Sequence, residues 1–188
     1  RRAIVVSDAP IAARVGSDIM RRGGNAVDAA VATEFALAVV YPEAGNIGGG
    51  GFMLIHLANG RNAAIDYREA APLAATRDMY IGPDGKVVKG ASVLGHLAVG
   101  VPGSVSGLET ALAKYGTMKR ATLMAPAIKY ARDGFVLVQG DVDLLVSAST
   151  DFKKDPATAA IFLNKGEPFQ PGQKLVQKDL ANTLKAIS

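Results

Sequence analysis

The stretch AVDAAVATEFALAVV, residues 26–40, constrains the chain more than any other. Wound as a helix, it shows apolar side chains on nearly every face, interrupted only by Asp28, Thr33 and Glu34. A helix of that kind belongs inside a layered fold. Its many alanines allow close approach to a sheet. Asn25 stands where it can cap the helix, and Asp28 lies in the first turn, where the helix dipole favours a negative charge. The run is too short and too interrupted to cross a bilayer, which takes roughly 20 apolar residues.

The flanking segments suggest the rest of the layers. AIVVS, residues 3–7, reads as a short buried strand, and residues 9–22 as an amphipathic helix with Ile11, Val15 and Ile19 on one face. Ser7 or Asp8 would cap that helix and Gly23-Gly24 would end it. Downstream, FMLIHLA, NG and RNAAIDY form a hairpin signal, placed in the middle of the fold. Read as a two-residue type I′ turn, Asn59-Gly60 sets Ile55 against Ala64, Phe52 against Tyr67 and Gly51 against Arg68. Helices are expected over 102–116, over 119–135, which Pro126 either divides or lies within, and over 141–149. Residues 157–163 suit helix or strand, and 180–188 read as a helix with no cap. The mixture indicates an α/β (α+β) fold in one domain, residues 1–188, that is a piece of a larger protein.

Composition matters mainly for what it removes. A net charge of +4 and a pI near 9.4 invite a nucleic-acid reading, but the basic residues are scattered and no aromatic interleaves with them. With no cysteine and only His56 and His96, neither a thiolate nucleophile, a cysteine zinc site nor a histidine triad is expected within this chain. No metal or cofactor is expected. The run GGGG, residues 48–51, fails as a phosphate loop because Phe52 and a strand follow it, without the required Lys and Ser/Thr.

IDYREAAP, residues 65–72, is the candidate site. Arg68 lies at a strand end between Asp66 and Glu69. It is either a solvated charge paired with those neighbours or a cationic anchor for a ligand carboxylate, which a guanidinium grips with two parallel hydrogen bonds. Residue types alone favour the ion pair. Gly51, set opposite Arg68, would leave open volume beside the guanidinium as a pocket wall. Asp66 and Glu69 read as a glycosidase acid/base pair find no further support.

GGNAVDAAVATEFALAVVYPEAGNIGGGGFMLI, AIDYREAAP and TRDMY resemble the gamma-glutamyltranspeptidase family, as do GVPGSVSGLETALAKYGTM and APAIKYARDGF further on. The resemblance covers nearly the whole chain. It implies a precursor that cuts itself into a large and a small chain, and the four-layered αββα sandwich of N-terminal nucleophile hydrolases. The nucleophile would be a threonine that begins the small chain, so none lies here; this chain resembles the first part of the large one. Arg68 falls on the family's arginine that binds the donor α-carboxylate, with Asp66 and Glu69 orienting it. Tyr67 receives no role. The implied activity is γ-glutamyl transfer and hydrolysis on glutathione-like donors, with an amino acid, peptide or water as acceptor. The implied location is periplasmic or secreted, the signal peptide removed, with no nucleic-acid or membrane partner. Alternatives are a cephalosporin or glutaryl acylase, a poly-γ-glutamate depolymerase, or a non-catalytic scaffold.

Overall fold

The computed structural model describes residues 3–188, so the basic pair Arg1-Arg2 lies outside it. The chain divides into two compact units, one made of the residues up to Asn46 and from Ala111 to Ser188, the other of Ile47–Thr110.

The first unit is helical. Helix α1, Pro10–Arg21, opens on a proline at its first turn and buries Ala12, Val15, Gly16 and Ile19 on one stripe. Its N-cap is Ala9 with no side-chain cap bond; the Ser7 hydroxyl donates to the Ala9 carbonyl instead. Helix α2, Ala26–Val40, keeps the expected bounds and has a complete capping box between Asn25 and Asp28. Gly16 lets α1 and α2 approach closely: a Cβ there would strike Thr33 Oγ1 and lie 3.2 Å from the Ala29 carbonyl. The rest of this unit follows as α4, Arg120–Asp133, α5, Gln139–Phe152, α6, Pro156–Phe162, and α7, Lys178–Ile187, the chain having entered it within α3, Ser104–Tyr115. A two-stranded ladder pairs β3, Phe135–Val136, with β4, Lys174–Leu175.

Helix α2 therefore packs against α1 and α4, where a sheet was expected. Phe35, Val31 and Val39 have 0% exposure, so its burial is as the composition requires. Gln177 fastens the start of α7 to this core, its Nε2 donating to the Val39 carbonyl and its backbone N–H to that of Ala131. Pro126 does not divide α4; burial of Leu123, Met124, Ala127 and Ala131 on either side holds the helix through it. Residues 157–162 resolve as helix, with Leu163 extended just past its end, because Asp155 caps them, accepting from the Thr158 N–H at 2.8 Å. AIVVS forms no strand: no described segment pairs with it, and Ile4 and Val6 lie exposed.

The second unit is built on the hairpin β1, Phe52–His56, and β2, Asn62–Asp66. The hairpin forms as expected, but its register is one residue off the sequence reading. Phe52 pairs with Asp66, Ile55 with Ala63 and His56 with Asn62. The cause is the turn. Gly60 N–H donates to the Leu57 carbonyl and Leu57 N–H to that of Arg61, with Gly60 at φ +81°. This is a three-residue loop with glycine in the left-handed position, not the two-residue turn. Both strands alternate exposed and half-buried residues, and no residue from Ile47 to Gly103 is fully buried. The hairpin is thus not central within this chain.

Candidate functional site

Strand β2 ends at Asp66, and Tyr67, Arg68 and Glu69 follow it outside the strand. Tyr67 is held to Gly51 on both sides, N–H to carbonyl at 3.0 Å and carbonyl to N–H at 3.4 Å. Gly51 therefore faces Tyr67, and the pocket wall imagined opposite Arg68 is not formed by it. Gly50 takes the place beside Arg68: a Cβ there would sit 2.8 Å from Arg68 Cα and 2.7 Å from the Glu69 nitrogen.

Two residues past Arg68 the chain is fixed again. Ala70 and Val101 exchange backbone hydrogen bonds at 3.2 and 2.8 Å. Gly103 and Ser104, leading into α3, both donate to the Gly49 carbonyl, at 2.8 and 3.0 Å. The arginine thus sits on a short segment pinned before and after, where the glycine run, the strand end and the start of α3 converge.

The two acids do not hold the guanidinium. Asp66 Oδ1 accepts from the Arg68 backbone N–H at 3.0 Å, a local turn that fixes the main chain. Glu69 lays its Cβ stem beside Gly100 and leaves its carboxylate exposed. Among the described residues no carboxylate forms an ion pair with Arg68, so the neighbour pairing that residue types favoured is absent. The result is an exposed guanidinium on a fixed backbone, with its fork open.

Elsewhere, a buried carboxylate is structural. Asp28 is 0% exposed and accepts four hydrogen bonds: from Asn25 N–H, Thr117 N–H, Met118 N–H and the Thr117 hydroxyl. Burial pushes its carboxyl up, but those bonds outweigh it and hold the group below its ordinary value. Glu34 is pushed up by burial alone. No three His, Asp or Glu side chains among the described residues gather as a metal site, and none of the described helices is long and apolar enough to cross a membrane.

Sequence reasoning missed Tyr67, Gly50, Gly103 and Gly107. One signal was present: Gly107 interrupts a helix pattern, and an isolated glycine there usually marks close packing. What it packs against depends on contacts distant in sequence.

A family model described as Gamma-glutamyltranspeptidase matches residues 12–188. The glutathione hydrolase proenzyme of Pseudomonas sp. strain A14 is 62% identical over 98% of this chain and 32% of its own length. The crystal structure of Helicobacter pylori gamma-glutamyltranspeptidase superposes with a TM-score of 0.96 at 48% identity, covering 100% of this chain and 54% of that one. An acylase ACY 1 proenzyme of Pseudomonas sp. strain V22 is 42% identical over 100% of this chain and 35% of its own length. The chain thus spans about a third of the curated relatives it matches.

Proposed function

The chain belongs to the gamma-glutamyltranspeptidase family, and from that premise we propose that the whole protein transfers the γ-glutamyl group of a glutathione-like donor to water or an amine. The chemistry runs through a γ-glutamyl-enzyme. A threonine hydroxyl at the start of a small chain, cut from the same precursor, adds to the γ-carbonyl. Its proton passes to the threonine's own α-amino group and then to the departing amine as the amide C–N bond breaks. Water or an acceptor amine cleaves the resulting ester and returns the hydroxyl. The mature pair works in the periplasm or outside the cell. The remainder of the large chain and the small chain complete the αββα sandwich.

This chain's part is to bind the donor. Arg68 grips the α-carboxylate, and a fixed charged head makes attack on the distant γ-carbonyl nearly unimolecular. One observation carries this reading: Arg68 sits on a segment pinned on both sides, yet its guanidinium is paired with neither Asp66 nor Glu69. An arginine with a purely local role would satisfy itself on the adjacent acids. Asp66 contributes by fixing the Arg68 main chain and Glu69 by keeping the site polar.

The test is Arg68→Lys in the complete protein. Lysine keeps the charge but loses the fork. KM for a γ-glutamyl donor is expected to rise on the order of tenfold to a hundredfold, the worth of a charge-assisted bond. Self-cleavage is expected to proceed normally, and a donor lacking the α-carboxylate to respond little. Unchanged KM for both donors refutes the anchor. The similarity to an acylase proenzyme supports a second reading, the same scaffold acting on another acyl group. Faster turnover of a glutaryl or cephalosporin substrate than of glutathione would favour it.

A further inference from the structure

Five glycines surround the three residues Tyr67, Arg68 and Glu69, and their arrangement is directional. At Gly107, in α3, an added Cβ would overlap Tyr67 Cγ and lie 2.5 Å from Cδ1. At Gly51 it would lie 2.9 Å from Tyr67 Cε2 and 3.2 Å from Cζ and the hydroxyl oxygen. The ring therefore spans from Gly107 at its root to Gly51 at its tip. At Gly103 the Cβ would overlap the Tyr67 carbonyl oxygen, and at Gly50 it would meet the main chain of Arg68 and Glu69. Gly100 borders the Glu69 stem, with 3.1 Å to its Cβ.

None of these five positions has a positive φ. Their glycines are not required by backbone conformation; they are required by space. Gly107 is the sharpest case. A glycine inside a helix is less favourable than alanine, because it gives up more backbone freedom. The sequence accepts that cost at a position where a methyl group would strike the tyrosine ring.

We propose that Tyr67 is a positioning residue for Arg68, its ring wedged between Gly51 and Gly107 so as to fix the direction in which the guanidinium leaves the strand end. This rests on the reading of Arg68 as the donor-carboxylate anchor. Tyr67 continues the hairpin ladder through its pair of hydrogen bonds with Gly51, and successive side chains along a ladder point to opposite sides. Seating the tyrosine on one side therefore fixes rotation of the segment and aims the arginine on the other. The hydrogen bonds at Tyr67 and Ala70 hold the segment along its length, and the ring holds it against twist.

The experiment uses the complete self-cleaving protein with two donors, one carrying the α-carboxylate and one lacking it. Gly107→Ala is the first variant, because a helix alone would be stabilised by it. Displacement of the ring is expected to raise KM for the carboxylate-bearing donor roughly tenfold or more, since a misplacement near 1 Å is costly at a bound head group. The kcat, the self-cleavage and the rate with the other donor are expected to stay within about twofold. Tyr67→Ala is expected to give the same split, and the double variant to be no worse than Tyr67→Ala alone. A parental KM in Gly107→Ala or Tyr67→Ala, equal losses with both donors, or additive effects in the double variant overturns the proposal. If Gly107→Ala fails to cleave itself, Tyr67→Ala decides. Arg68→Lys run in parallel separates the two readings. If it raises KM while the Tyr67 and Gly107 variants do not, the anchor stands without the wedge. If it leaves KM unchanged, the anchor fails and the wedge with it.

Discussion

Helix α2 and the hairpin β1–β2 are both written largely in apolar residues, yet they end in opposite states. Phe35 of α2 is 0% exposed, while Leu54 of β1 is 84% exposed and Phe52 is 64% exposed. Hydrophobicity fixed neither outcome. The chain supplies α1 and α4 to cover α2. Among the described residues it pairs β1 and β2 only with each other, and two strands alone are marginal in water. The helical unit buries its core with its own sequence, and the unit carrying Arg68 leaves the apolar residues of its hairpin exposed within this chain.

The largest effect that would break this comparison lies at Asp28. Asp28→Ala removes a fully buried carboxylate and leaves the part-buried N–H groups of Asn25, Thr117 and Met118 without their acceptor. The loss is expected on the order of 3 kcal/mol or more, read as a drop in Tm. A Tm within a degree or two of the parent would mean that the helical unit does not depend on its own internal network.

A smaller effect is set by pH. Asp28 has its carboxyl held below the ordinary 3.8 in the folded state. It therefore contributes stability that is present above about pH 4 and is lost as pH falls through the lowered value. Thermal melts from pH 6 downward are expected to steepen in that window. Asp28→Asn, with nothing to protonate, is expected to start lower and fall less steeply; parallel curves would show that another group governs acid lability.

The smallest effect belongs to the hairpin. In the complete protein Leu54→Ser is expected to cost about 1–3 kcal/mol, as for a side chain that packs against the rest of the molecule. A change within about 0.5 kcal/mol, the usual range for solvated positions, would mean that this face remains exposed even in the whole protein.

The legible parts of the fold were those decided locally. Asn25 and Asp28 lie three residues apart, so the cap and first turn of α2 could be read directly, and its bounds held. The hairpin was also legible from Asn59-Gly60, but its register was not. The same pair supports a two-residue or a three-residue loop, and the left-handed Gly60 with the Leu57–Arg61 closure selected the longer one. AIVVS misled because a strand needs a partner, which pattern alone does not provide. At the site, Arg68 stood out through its motif and its place at a strand end. Tyr67 did not, because its role depends on Gly51 and Gly107, which reach it only once the chain has folded.

The most direct test of the account is a structure of the complete protein with a non-hydrolysable γ-glutamyl donor bound. The account predicts both oxygens of the donor α-carboxylate within about 3.2 Å of the Arg68 guanidinium nitrogens, in a forked pair, on a backbone still joined to Gly51 and Val101. A donor whose carboxylate is held elsewhere, with Arg68 facing solvent, would contradict it.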